Sequence, residues 1–270
     1  MKKVDMHMHT YASDGTWDVS ELKEELIKNK IDIFSITDHD CIENIKNMQE
    51  ILKPSDNLIF IPGTELTCEY QGREYHLTLY NFDIQNKQLL DMINWTNESK
   101  LSSNKDYIKY VSEKYDSISF EDFEKYDYDR KRGGWKSANY MIDKGIHKDV
   151  LTHLTDVEKS GIKAKLKGPE EVIKTAHESG GFVFLAHPSY HYRNSRMPIE
   201  ELEFWLEAGI DGIECFSPYN KGEEQYYIDF CKKNNLMISG GSDCHGLFIP
   251  SRKIGLPEVM LKDLDIRKIL

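Results

Sequence analysis

Apolar residues fall into short blocks separated by longer, periodic polar stretches. KKVDMHMH is followed by DVSELKEELIKNK, where Leu22 and Leu26 share one helical face and Asp18 stands three residues before Glu21, the spacing of a capping box. IDIFSIT reads as a buried strand, IENIKNMQEIL as a helix with Ile42, Ile45 and Met48 at helical spacing, LIFIPG as a third strand and REYHLTLYNF as a fourth. Short apolar strands alternating with amphipathic helices are the rhythm of a parallel sheet with helical crossovers. From about residue 85 to 170 the texture changes to long polar helical stretches such as QNKQLLDMINWTNESKLSSNKDYIKYVSEKY. The first rhythm then resumes with EEVIKTAHESGG, GFVFLAHP, IEELEFWLEAG, DGIECF, EEQYYIDFCKKNN and LMISGGSD. This pattern predicts an α/β barrel of about seven strands, with residues 1–84 and 171–270 forming its two parts and 85–170 a helical insertion. No internal repeat or low-complexity tract interrupts the pattern.

Composition changes this picture little. A chain of 270 residues can fill one large α/β domain or two smaller ones. No run of about 18 apolar residues exists, and MKKVDMHMH lacks the apolar core of a signal peptide, so a cytosolic protein with no membrane segment is expected. The five cysteines (Cys41, Cys68, Cys215, Cys231, Cys244) contain no CxxC pair, which removes a zinc ribbon and a disulfide framework from consideration. A formal net charge of −11 argues against binding duplex nucleic acid over a broad basic surface. It leaves a small phosphorylated substrate open, because bound divalent ions create a local positive site inside an acidic molecule.

The candidate chemistry lies in the placement of histidines and acids. His7 and His9, two apart at the end of the first strand, point the same way if that segment is extended. Asp38, His39 and Asp40 follow the second strand, Glu65 the third, His187 the fifth, and Asp243 with His245 the last. In a parallel barrel those strand ends converge on one mouth. His76 falls near the start of its predicted strand, which places it at the opposite mouth unless that strand runs antiparallel or irregularly; otherwise it is a hydrogen-bonded core residue. His147, His153 and His177 lie in polar helical or connecting segments and read as surface residues, and His191, just past AHPSY, stays undecided between a catalytic and an incidental place. Imidazole and carboxylate together suit zinc, manganese or iron, and so many ligands call for two or three ions in a hydrolytic rather than a redox site.

HMH at 7–9, Asp14, TDHD at 37–40, Glu65 in GTEL, His76, AHP at 186–188 and GSDCH at 241–245 together resemble the PHP (polymerase and histidinol phosphatase) superfamily. The resemblance implies a distorted (β/α)7 barrel with a trinuclear site, over which the insertion at 85–170 would form a cap. One ion would be held by His7, His9, Glu65 and Asp243, a second by Glu65, His76 and His187, and a third by Asp14, His39 and His245, so that Glu65 bridges. It also implies a stand-alone bacterial phosphoesterase in which a metal-activated hydroxide attacks phosphorus. The substrate would be a nucleoside 3′,5′-bisphosphate or a short oligonucleotide, with a histidinol-phosphate-type phosphomonoester as the alternative. A catalytically silent metal-binding module and an amidohydrolase are rival readings; the first would be expected to have lost ligands, and the second usually offers a lysine or similar carboxylate bridge.

Where nucleotide-acting relatives carry an arginine and a histidine at a helix start in the insertion, this chain has DRKRGGWKSANYMIDKG. Arg132, Trp135 and Lys136 either bind phosphate and base there or are ordinary residues of a helix start. Arg193, Arg196 and Arg252 are further candidates for a substrate phosphate. Asp40 either orients a water or a ligand imidazole, or caps the helix predicted at 41–52.

Overall fold

A computed structural model describes residues 2–193 and 195–270. Among them the strands are β1 (Lys3–Asp5), β2 (Ile33–Ile36), β3 (Ile59–Tyr70), β4 (Arg73–Tyr80), β5 (Phe182–Leu185), β6 (Gly212–Phe216), β7 (Met237–Gly240) and β8 (Val259–Met260). The helices are α1 (Val19–Lys28), α2 (Glu43–Ile51), α3 (Lys87–Ser112), α4 (Phe120–Lys125), α5 (Lys136–Asp143), α6 (Val150–Ser160), α7 (Pro169–Glu178), α8 (Ile199–Ala208) and α9 (Glu224–Asn234).

The strands form one sheet in the order β7-β6-β5-β4-β3-β2-β1-β8. Past the end of β7 the chain returns to β1: Asp243 N donates to His7 O at 2.8 Å and His9 N to Cys244 O at 2.8 Å, so the sheet nearly closes into a barrel. The sequence rhythm predicts parallel strands throughout, and the structure departs from it at β4, which is antiparallel to both β3 and β5. The cause is local: β3 runs for 12 residues and turns back through Gln71 and Gly72, both at positive φ. A strand returning from the mouth begins at the mouth, which brings His76 beside Thr67, two residues past Glu65. The two-residue β8, antiparallel to β1, is an addition that the sequence pattern does not signal.

The helices form for legible reasons. Asp18 and Glu21 close the capping box of α1 from both sides, and Leu22 and Leu26 are buried against the sheet. Val4, Met6, Ile33, Ile61, Tyr80, Phe184 and Met237 fill the barrel interior below the mouth. Between β4 and α7, helices α3 to α6 cluster, and their distal part packs its own core of Tyr107, Ile108, Val111, Phe123, Tyr140 and Met141. His147 and His153 belong to this interior, with only 6% and 2% of their surface exposed, which corrects their reading as surface residues. Their Nδ1 atoms are 3.2 Å apart, Tyr107 and Ser137 reach the outer nitrogens, and α6 tucks them inward. His177 does lie partly exposed, paired with Asp211. No described helix is long and apolar enough to cross a membrane.

Candidate metal centre

Glu65 is fully buried on β3 and its carboxylate faces five imidazoles. Oε2 lies 3.2 Å from His7 Nε2, 3.3 Å from His9 Nε2 and 3.1 Å from His39 Nδ1. Oε1 lies 3.2 Å from His76 Nδ1 and 2.9 Å from His187 Nε2. Asp243 Oδ1 stands 3.0 Å from His9 Nε2, and Asp14 Oδ2 3.3 Å from His245 Nε2. All nine side chains named from the family resemblance therefore meet at one mouth. Their donor atoms sort into three groups: His7, His9, Glu65 and Asp243; His9, Asp14, His39 and His245; and His39, Glu65 and His76. The first coincides with the expected ligand set. The third has His39 where the resemblance puts His187, whose contact is with Glu65 itself.

Close approach of so many donors has an electrostatic cost that the chain alone does not remove. His9 Nδ1, His39 Nδ1 and Glu65 Oε2 are buried without a hydrogen-bond partner. Such orphaned atoms are costly in an interior, and divalent ions of the imidazole-carboxylate class would satisfy them, so the donor set fits that group. Burial disfavours charge on His7, yet Glu65, Glu214 and Asp243 outweigh it and hold the imidazolium well above its usual range. The same contest, won by Glu65 and Glu74, raises His76 to about 10, and Asp14 with Asp243 raise His245 to about 9. Burial pushes His39 well down despite Glu65 and Asp14. Asp14 and Glu65, also opposed by burial, are held well below the carboxylate range by their imidazoles.

A second layer of acids fixes the ligands. Asp38 accepts from Thr10 N at 2.8 Å, Thr10 Oγ1 at 2.6 Å and Ser13 Oγ at 2.6 Å, pinning the loop that delivers Asp14. Asp5 accepts from Ser242 N and Gly255 N, steadying the loop of Asp243 and His245. Gly241 is required there, because a Cβ would come within 2.4 Å of His7 N. His187 and Asp243 sit at φ 28° and 49°, strained positions that the surrounding bonds enforce. Glu214, missed in the sequence, places both oxygens 3.2 Å from His7 Nδ1 and accepts from His187 N at 2.7 Å. Its signal was an acid inside the apolar strand DGIECF.

Asp40 neither caps a helix nor reaches the cavity. Helix α2 begins after Ile42 with no side-chain cap, and Asp40 instead accepts from Thr67 N, Thr67 Oγ1 and Lys100 Nζ. Above the cluster opens a cavity of about 610 Å³, whose walls include Trp135, Leu151, Leu154, Tyr190, His191, Tyr219, Phe248 and Arg252. Two residues expected from the sequence to touch substrate, Trp135 and Arg252, thus line it, as does the undecided His191. Arg132, Lys136, Arg193 and Arg196 do not. Arg132 is occupied by Asp143, with both guanidinium contacts at 2.7 Å, Lys136 Nζ donates to Glu124 O, and Arg196 stacks on Tyr226. Arg193 follows the short turn at 190–192 in a left-handed conformation, φ 53°. Trp135 reaches the mouth because Gly133 and Gly134, at φ 75° and 69°, turn tightly against Phe248, where a Cβ would approach within 2.6 and 2.7 Å.

The PHP domain family model matches residues 5–240. Over 261 residues, 90% of each chain, the sequence is 24% identical to a 5′-3′ exoribonuclease of Haemophilus influenzae. Over 265 residues it is 22% identical to a 3′,5′-nucleoside bisphosphate phosphatase of Chromobacterium violaceum, covering 96% of this chain and 92% of that one. Among solved structures, a protein of Bifidobacterium adolescentis assigned to the metal-dependent phosphoesterases superposes with a TM-score of 0.84 at 24% identity, over 99% and 95% of the two chains. An amidohydrolase of Chromobacterium violaceum, solved with sulfate and without metal, gives 0.76 at 20% identity over 93% and 89%. At these identities the structural likenesses speak to the fold.

Proposed function

The chain belongs to the PHP domain family, and on that premise we propose that it is a metal-dependent phosphoesterase that hydrolyses a phosphate ester of a nucleotide. The observation that carries this reading is one buried carboxylate, Glu65, within 3.3 Å of five imidazoles at the floor of an open cavity. Two or three manganese, iron or zinc ions in that donor set would supply Lewis acidity toward phosphoryl oxygens and a water of lowered pKa. The chain's own part is to orient and enclose. Arg252, 2.6 Å from Asp243 Oδ2, offers the rest of its guanidinium to a phosphate, and Trp135, Tyr190 and Phe248 supply apolar faces for a base. The wall carries few cations besides Arg252, which favours a compact substrate over a long strand. The names of the two curated relatives, one acting on RNA ends and one on a nucleoside bisphosphate, support the substrate class.

The test uses protein stripped and reloaded with each metal, and reads phosphate released from adenosine 3′,5′-bisphosphate and from histidinol phosphate, and mononucleotide released from a short 5′-phosphorylated oligonucleotide. Turnover of either nucleotide above histidinol phosphate supports the reading; cleavage of histidinol phosphate alone overturns its substrate class.

A further inference from the structure

We propose that Lys100, on helix α3 of the inserted segment, is a positioning residue that holds the segments bearing His39, Glu65 and His76 in place; the inference rests on the metal-dependent reading above. Its ammonium donates to Asp40 Oδ2 at 2.8 Å and to Thr67 Oγ1 at 2.7 Å, and lies 3.9 Å from Glu74 Oε1. One turn earlier on α3, Asn97 Nδ2 donates to the Asp40 carbonyl at 2.8 Å. Each group reached in this way touches a member of the cluster. Asp40 adjoins His39 in sequence and donates its N–H to the Glu65 carbonyl at 2.8 Å. Thr67 is the cross-strand partner of His76, and Glu74 Oε1 lies 3.1 Å from His76 Nε2.

Asp40 is only 2% exposed and holds a left-handed φ of 42°. A buried carboxylate in a strained turn persists when a cation and hydrogen bonds compensate it, and Lys100 provides that charge from the insertion. Without it the turn loses its reason to stay, and His39 and the Glu65 carbonyl shift with it. The insertion is therefore a structural part of the centre as well as its cover.

The experiment compares wild-type protein with Lys100→Met, Lys100→Gln and Lys100→Arg by chelator competition for zinc and manganese, by the visible absorption of bound Co²⁺, and by thermal unfolding of the metal-free chain. Removing a supporting partner of metal ligands weakens binding about ten- to hundredfold. The expected result is a loss of that size in Lys100→Met, an altered Co²⁺ band, cooperative metal-free unfolding, and substantial recovery in Lys100→Arg. Should Lys100→Met fail to fold, Lys100→Gln, which keeps a donor on a shorter stem, is judged by the same criteria. Wild-type affinity and an unchanged Co²⁺ band in a folded variant overturn the proposal while leaving the phosphoesterase reading intact. A wild-type chain that binds no ion overturns both. One that binds ions, loses them in Lys100→Met and cleaves no phosphate ester supports the role of Lys100 and removes only the reading of function.

Discussion

Glu214 holds His7 by its far edge: both carboxylate oxygens stand 3.2 Å from Nδ1, while Nε2 of the same ring faces Glu65 and His9. A carboxylate on one ring nitrogen fixes the tautomer that leaves the other free to bind metal, and raises its basicity. Replacing Glu214 with Ala should weaken metal binding about ten- to hundredfold, with a smaller loss for Gln, which still accepts from the ring and from His187 N. Chelator competition on the two variants measures this, and equal affinity in all three proteins would reduce Glu214 to a filler of space.

That pair also marks where the sequence was readable. His7, His9, His39, His187, Asp243 and His245 each follow a short apolar strand, and Glu65 lies within the long β3 just past the part paired with β2; because parallel strand ends converge, their position along the chain implied their meeting in space. Glu214 sits within its strand, where an acid between Ile213 and Cys215 carries no periodic signal. Spacing alone left the place of His76 open, and only the family resemblance put it with the ligands, because the direction of β4 depends on the length of β3 and a two-residue turn, a tertiary matter that local alternation does not express. His147 and His153 misled for a similar reason: their surroundings in sequence are polar, and only the fold of α6 back onto α3 and α5 buries them. Arg132, Lys136 and Arg196 stand off the cavity because a neighbouring acid, carbonyl or ring uses each charge, as Asp143 does that of Arg132.

Glu65 enters two of the three donor groups, and His9, Asp14, His39 and His245 form the third without it. Glu65→Gln places an amide where two imidazole clusters converge, losing the charge and turning one oxygen into a donor aimed at ring nitrogens. The variant is expected to retain no more than one ion per chain by elemental analysis and to release phosphate no faster than the enzyme-free blank. Full metal content in this variant would contradict the bridging role.

Trp135 and Arg252 line the same cavity but should separate in kinetics. Arg252 touches Asp243 and lies 4.9 Å over the Tyr219 ring, so Arg252→Lys keeps a charge yet loses the planar fork. A hydrogen bond to a charged group contributes about 1.5–3 kcal/mol, so kcat/KM should fall roughly ten- to hundredfold with both kcat and KM affected. Trp135 packs edge-to-face on Phe248 at 6.2 Å, on the wall rather than in the cluster. Trp135→Ala should raise KM for a nucleotide while leaving kcat nearly unchanged, and should leave KM unaltered for a phosphomonoester that lacks a base.

The raised imidazoles make metal binding a proton-releasing event. In the metal-free chain His7, His76 and His245 hold protons above the ordinary histidine value of 6.5, the last two up to about 10 and about 9, because facing carboxylates outweigh the cost of burial. Metals take neutral imidazole, so loading at pH 7 should expel about three protons, measurable by calorimetry in buffers of different ionisation enthalpy. His39, pushed down by burial, contributes none. The sign for stability follows from linkage: a histidine whose folded pKa is raised stabilises the metal-free chain fully below about 6.5, and that stabilisation is lost as pH climbs through 9 to 10. Metal affinity moves the other way over the same range, since fewer protons must leave. The difference in Tm between loaded and metal-free protein should therefore widen between pH 6.5 and 10, and a constant difference with no proton release would mean that the imidazoles of this cluster are not the groups that take the metal.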